Sequence, residues 1–412
     1  MRPPPRAPAP GTPQRTAWGA VLVFVAGGVL AAVHLGKLPP ALPLMRAELG
    51  FGLVAAGFVV ALFNLLAMTV SVLFGGLVDR IGRPRLVQAG FACLLAGGVI
   101  GALAQGLPVL MLSRLLEGFG FVAISVSLPV LIMAASAARD QGFTLALWSV
   151  YTPLGMALVM LAAPLALDGA GWRGLWWAVA ALTPFCALAV WWQMARFAPA
   201  PSGGRAPDPA APPRPLTLVR EALATRGLQV IALLFGLYAF QWVTLMVWLP
   251  SFQTESLGAD LRQAALVTAL VVLANVPGCL LGGWLLRHGA SARQLVVTGS
   301  AVMGACAVLI FLPLLPDPAR LGLSVVFSFT GGLIPPSLFN TVPRAASGPH
   351  HISVGNGMLM QGSALGQFTG APLVALAVSL GGGDWRFAVI PMLAASLGAL
   401  AAALACLGAA HR

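Results

Sequence analysis

Four side chains could carry charge inside runs of residues that otherwise carry none: His34, Lys37, Arg114 and Glu117. Lys37 is the only lysine of the chain and follows His34 by three residues; Arg114 precedes Glu117 by the same interval. On an α-helix that spacing places two side chains on one face. Such a set suits reversible binding of a small anionic or strongly dipolar molecule, because a guanidinium offers a planar fork to two oxygens. Glu117 would then modulate Arg114 or accept a coupling proton. A plainer alternative stands beside this one: Lys37 extends along its stem to the surface, and Arg114 and Glu117 neutralise each other.

Uncharged polar groups cluster as well. Tyr238, Gln241, Trp242 and Trp248 recur at helical spacing, as do Asn356, Met360, Ser363 and Gln367, with Gln361 beside them. The only two tyrosines, Tyr151 and Tyr238, each carry a hydroxyl that could meet a solute or a neighbouring carbonyl. The sole lysine is followed by Leu38, so there is no phosphate-binding GxxxxGK[ST] loop. HExxH, GxSxG and paired Cys/His spacings are also missing, so no catalytic residue, cofactor or metal is expected. Cys93, Cys186, Cys279, Cys306 and Cys406 read as packing residues.

The elements that hold these groups follow from composition. Of 412 residues, 59% are hydrophobic and 8% charged, with a mean hydropathy of +0.91, against roughly 25% charged in soluble domains. That excludes a soluble fold. The excess of arginine gives a pI near 11.2, but the arginines lie between apolar runs rather than in a basic-aromatic patch, so nucleic acid is not a partner. Runs long enough to cross a bilayer, about 20 residues each, are expected at 18–44, 51–77, 86–105, 108–135, 141–167, 172–195, 227–251, 262–287, 292–315, 318–342, 353–380 and 385–409.

The chain therefore divides into a tail (1–17), a six-span unit (18–197), a linker rich in Pro, Gly and Arg (198–226) and a second six-span unit (227–412). The tail lacks a signal-sequence pattern, so the first span is expected to be retained. With the tail inside, sixteen of the 23 basic residues fall on the inner side and five on the outer, which places both termini in the cytoplasm. The halves also repeat. Gly75-Gly76 matches Gly282-Gly283 at an offset of 207, and Trp172-Arg173 matches Trp385-Arg386 at 213. Gly362, Gly366 and Gly370 form a stripe suited to close helix approach. Pro335-Pro336 and Pro277-Gly278 should bend their spans.

Gly75-x-x-x-Asp79-Arg80-x-Gly82-Arg83-x-Arg85 resembles the signature loop of the major facilitator superfamily, with Pro84 in place of its usual basic residue. Arg114-Leu115-Leu116-Glu117-Gly118-Phe119-Gly120 is similar to the family's second motif, with Glu117 where Gln is commoner. Trp248-Leu249-Pro250-Ser251-Phe252 and Met360-Gln361-Gly362 add a looser likeness to its cyanate-transporter-like branch. The resemblance implies an all-α polytopic membrane protein of twelve transmembrane helices in two pseudo-symmetric six-helix bundles. It also implies secondary transport by alternating access, and a monomer is expected; the compact chain, rich in Ala, Gly, Leu and Arg, suggests a bacterial inner membrane.

On that reading Arg114, Lys37, His34, Tyr151, Tyr238, Gln241, Trp242, Gln361 and Gln367 face the solute. Asp79, Arg80, Arg83 and Glu117 would gate or couple, although the loop arginines could simply anchor topology. Every third span would face lipid. The competing expectation is a proton-coupled exporter of lipophilic drugs using Trp148, Trp242 and Trp248. A non-transporting receptor or an intramembrane enzyme is the more distant one.

Overall fold

The computed structural model describes residues 15–197, 220–221, 223–346 and 349–407, and the side chains among these except at 70–81, 83, 142, 146 and 349–353. The described residues are helical, without strands. Twelve spans follow in order: α1 (Trp18–Leu49), α2 (Leu53–Ile81), α3 (Arg83–Ala102), α4 (Leu107–Ala134), α5 (141–170), α6 (172–197), α7 (Arg226–Ser256), α8 (Leu261–Arg287), α9 (Ala292–Phe311), α10 (Asp317–Ala345), α11 (Pro349–Leu380) and α12 (Trp385–Cys406). An even count brings Trp18, Phe197, Arg226 and Cys406 to one end of the molecule, the terminal end; the opposite end is the far end. The first span is longer than expected, running to Leu49 rather than 44.

Prolines set the interruptions. In α1 the helix breaks at Lys37, because Pro39 and Pro40 have no N–H for the carbonyls of Leu35 and Gly36. In α10 it breaks at Gly332 and Leu333, where Pro335 and Pro336 fail Gly331 and Gly332 in the same way. The bend expected there is present, whereas α8 runs without interruption through Pro277. A break at Val150 divides α5. Gly171, at φ 63° and ψ −171°, turns the chain between α5 and α6, a conformation that a residue without a Cβ adopts freely.

Packing is tightest where glycines meet backbone. A Cβ on Gly362, Gly366 or Gly370 would run into Ala232 O, Gly236 O or Thr244 Oγ1 of α7, so the α11 stripe is a close-approach surface. The first half repeats this between α5 and α1, where Gly155 lies against Val29 O. The halves meet along α2 with α11, α5 with α8, and the far part of α1 with α7. On the periphery α6 exposes Leu182, Phe185, Leu188, Trp191 and Trp192, and α12 exposes Ile390, Leu397 and Leu404. These apolar faces suit a lipid solvent.

Candidate functional site

The break in α1 places Lys37 at a joint with His34 one turn before it. Both side chains point between α1, α3, α4 and α6, where they meet the Arg114–Glu117 pair of α4. Glu117 is the hub. Its Oε1 accepts from Lys37 Nζ at 2.6 Å and lies 2.9 Å from His34 Nδ1, while its Oε2 accepts from Arg114 Nη1 at 2.5 Å. Arg114 Nη1 also donates to the carbonyl of His34 at 3.0 Å. The four side chains have no solvent exposure.

Aromatic rings close the cluster: Lys37 Nζ stands 4.5 Å from the Trp176 ring centroid and Arg114 Cζ 4.5 Å from that of Phe63. Gly97 of α3 makes the hub possible, because a Cβ there would come within 2.6 Å of Glu117 Cγ.

Proton positions follow from these contacts. A 2.9 Å approach of His34 Nδ1 to a carboxylate oxygen needs a hydrogen on that nitrogen. In a neutral ring Nε2 is then an acceptor, and Thr183 Oγ1, 3.1 Å away, donates to it. In an imidazolium Nε2 donates instead, and the hydroxyl turns to the Val179 carbonyl at 2.9 Å. With the ring neutral, Lys37 and Arg114 against Glu117 leave one surplus positive charge. Arg114 Nε and Nη2 and Trp176 Nε1 have no hydrogen-bond partner, so donors outnumber acceptors as well.

Arg114, Lys37 and His34 were expected to face the solute; the structure brings them together, fully buried, inside the first bundle. Helical spacing puts each pair on a common face without saying which neighbour that face meets; in α4 that face, with Ser113, Arg114, Glu117 and Gly118, is the buried one, while Leu112 is exposed. Lys37 does not reach the surface. A chain of aromatic rings leads away from the cluster: Phe63 lies 5.3 Å from Phe121, Phe121 6.1 Å from Tyr151, and Tyr151 stacks on Trp148 at 4.3 Å, with the last three residues half-buried.

In the second half Tyr238 and Trp242 come together. Asn275 Nδ2 donates to Tyr238 Oη at 3.1 Å and to the Ser328 carbonyl at 3.0 Å, and Trp242 Nε1 donates to Ser328 Oγ at 2.9 Å. Gln241 departs from expectation. It turns inward, accepting from Ser396 of α12 at 3.2 Å, because it lies on the face of α7 toward that helix. Gln367 is spent within α11 on Ser363 Oγ at 3.2 Å. Gln361 Nε2 donates to the Met68 carbonyl at 2.8 Å and so bridges the halves.

The side chains of Asp79, Arg80 and Arg83 lie outside the described residues. Thr183, Asn275 and Ser328 were missed. Each is a polar residue in an apolar run, and Thr183 and Asn275 fall just before Pro184 and Pro277.

The family model for the Major Facilitator Superfamily matches residues 18–371. The chain belongs to the Major Facilitator Superfamily. This major facilitator protein is 31% identical over 138 residues to the inner membrane transport protein YajR of Escherichia coli, a match covering 33% of this chain and 30% of that protein. Plastidic glucose transporter 4 of Arabidopsis thaliana is 30% identical over 162 residues, or 38% of this chain and 30% of that one. The chain thus spans under a third of the length of either relative in these matches.

The fold is similar throughout to a bacterial homolog of the human lysosomal transporter Spinster, crystallised inward-facing and unoccupied. That likeness has a TM-score of 0.79 at 15% identity and covers 94% of this chain and 97% of that one. This major facilitator protein accordingly has the multi-pass, two-bundle membrane fold of its family.

Proposed function

We propose that the protein is a secondary active transporter that carries a small anionic solute by alternating access between its two bundles, 18–197 and 227–412. Its setting is a bacterial inner membrane, with the terminal end and the 198–226 linker in the cytoplasm, supported by the sixteen-to-five distribution of basic residues.

The observation that carries the anionic reading is the surplus cation of the buried cluster. Among the described residues, no second carboxylate pairs with His34, Lys37 or Arg114. Arg114 lies no more than about 16 Å from the Tyr151 ring, in steps of 4.5, 5.3 and 6.1 Å through Phe63 and Phe121. At an effective dielectric of about 20, one charge at that distance contributes ~1 kcal/mol toward an anion. The positive sign of that charge is what supports an anionic cargo. Three donors already occupy the oxygens of Glu117, so a coupling proton would reach this carboxylate only by displacing one of them.

Uptake into proteoliposomes tests this. Small carboxylates and inorganic oxyanions should be accumulated in preference to neutral sugars and organic cations, and a pH gradient should alter the rate. Preference for a sugar would align the chain with the glucose carriers it partly matches and remove the anionic reading. The half-buried Trp148, Tyr151 and Phe121 favour a second reading, export of lipophilic compounds, for which efflux of a hydrophobic dye is the direct assay.

A further inference from the structure

The far end holds a repeated motif that the two halves use differently. Glu48 of α1 accepts from Trp172 Nε1 at 2.6 Å, and its other oxygen pairs with Arg173, the next residue. Glu255 of α7, 207 positions later, accepts from Trp385 Nε1 at 3.1 Å, and Trp385 is likewise followed by an arginine, Arg386. Here the pattern breaks. Arg386 is held by Asp384, through Nε at 2.5 Å and also Nη2. The free oxygen of Glu255 takes Arg46 Nη1 at 2.5 Å. That ion pair joins α1 to α7 and so ties the two bundles together at the far end.

Two differences between the repeats account for the change. Asp384 stands where the first half has Gly171, so Arg173 has no competing carboxylate while Arg386 does. Arg46 corresponds to Gln253, which is buried and donates to Leu249 O, Ala264 O and Thr268 Oγ1. One half therefore supplies an unmatched cation and the other an arginine diverted from its repeat partner. The first half shows that an arginine in the place of Arg386 reaches the glutamate while the adjacent indole stays on it.

We propose that Arg386 is the alternative partner of Glu255: Arg46 holds Glu255 while the far ends are closed, and Arg386 takes it when they separate. The exchange keeps Glu255 paired in both states. Asp384 keeps its bond from the Arg386 N–H at 2.9 Å and is otherwise open to water. The opening step then exchanges two ion pairs, Arg46–Glu255 and Arg386–Asp384, for the one between Arg386 and Glu255, and the carboxylate released is Asp384, which keeps its backbone bond; re-pairing Glu255 lowers the free-energy gap between the closed and open far ends.

Spin labels on Gln105→Cys and Ala319→Cys, exposed far-end positions in opposite halves, would report the separation. The full chain would be studied in nanodiscs with its native cysteines replaced. Arg46→Gln should raise the ratio of long to short distances by about two- to fivefold, as befits an exposed ion pair. Asp384→Asn, which frees Arg386, should raise it in the same direction, and adding Arg386→Gln should bring it below the starting value, to that of Arg386→Gln alone. Arg386→Gln alone should lower it. The proposal is overturned if the Asp384→Asn, Arg386→Gln double variant stays as open as Asp384→Asn, or if Arg386→Gln alone leaves the ratio unchanged or raises it.

Discussion

Lys37 Nζ and Glu117 Oε1 stand 2.6 Å apart with neither side chain exposed to solvent. A buried ion pair is held in place less by its own attraction than by the cost of leaving either member alone. Around Glu117 that cost is multiplied, because Arg114 depends on the same carboxylate.

Glu117→Gln should therefore be the most damaging single change in the cluster. It leaves two buried cations facing a neutral amide, at a cost of about 3–5 kcal/mol for a broken buried pair. Thermal unfolding in detergent should show a large drop in melting temperature together with loss of transport. A variant as stable as the parent would mean that Lys37 is not charged in the folded protein.

Lys37→Met should behave in the opposite way. Removing the surplus cation while retaining volume leaves Arg114 and Glu117 as a balanced pair, and such replacements are often neutral or stabilising. Melting temperature should hold or rise, while KM for an anionic solute rises about fivefold, corresponding to ~1 kcal/mol at the Tyr151 ring. An unchanged KM would count against the anionic reading.

Arg114→Lys and Arg114→Ala separate charge from geometry. A lysine keeps the charge but lacks the rigid planar group that aims Arg114 Nη1 at both Glu117 Oε2 and the His34 carbonyl. The lysine variant should fold with reduced turnover, and the alanine variant should lose more, since Glu117 then relies on Lys37 and His34. Equal transport by both variants and the parent would remove Arg114 from the mechanism.

Gly366→Val tests the α7–α11 contact. The added Cβ meets the Gly236 carbonyl, which is backbone and cannot yield as a flexible side chain would. Overpacking of this kind costs about 1–3 kcal/mol or more. Reduced expression and a lower melting temperature are expected, whereas Gly283→Ala, with nothing within 4 Å of the new methyl, should be silent in the same assays.

For orientation, a cysteine at Ala210 in the linker should react with an impermeant maleimide only after the inner face is exposed. Labelling from outside intact cells would reverse the topology proposed above.

Much of the architecture was legible in the sequence, for a physical reason. Lipid admits long apolar helices and little else, so the runs and the Pro-rich 198–226 stretch mark the spans and halves directly. The break near Pro335-Pro336 was legible in the same way. The one at Lys37 was not read, although Pro39 and Pro40 were the same signal. The four charge-bearing residues were legible as a set because each is so improbable in an apolar run. Their orientation was not, since His34 and Arg114 could have faced either the other bundle or α3 and α6. That choice depends on Gly97 and Thr183, whose importance shows only in three dimensions. The far-end motif lay hidden for a related reason. The Trp-Arg repeat was visible at an offset of 213, but the glutamates it serves repeat at 207 and carry no signal until the indoles are seen to reach them.

The interruption of α1 has a mechanical consequence. The segment from Leu38 to Leu49 is a short rod hinged at Lys37, and Arg46 rides on it nine residues along, about 13 Å from the joint at 1.5 Å per residue. A rod of that length is a lever whose fulcrum is the residue that holds Glu117. Any tilt that carries Arg46 away from Glu255 must turn the backbone at Lys37, where an ammonium held at 2.6 Å has almost no slack.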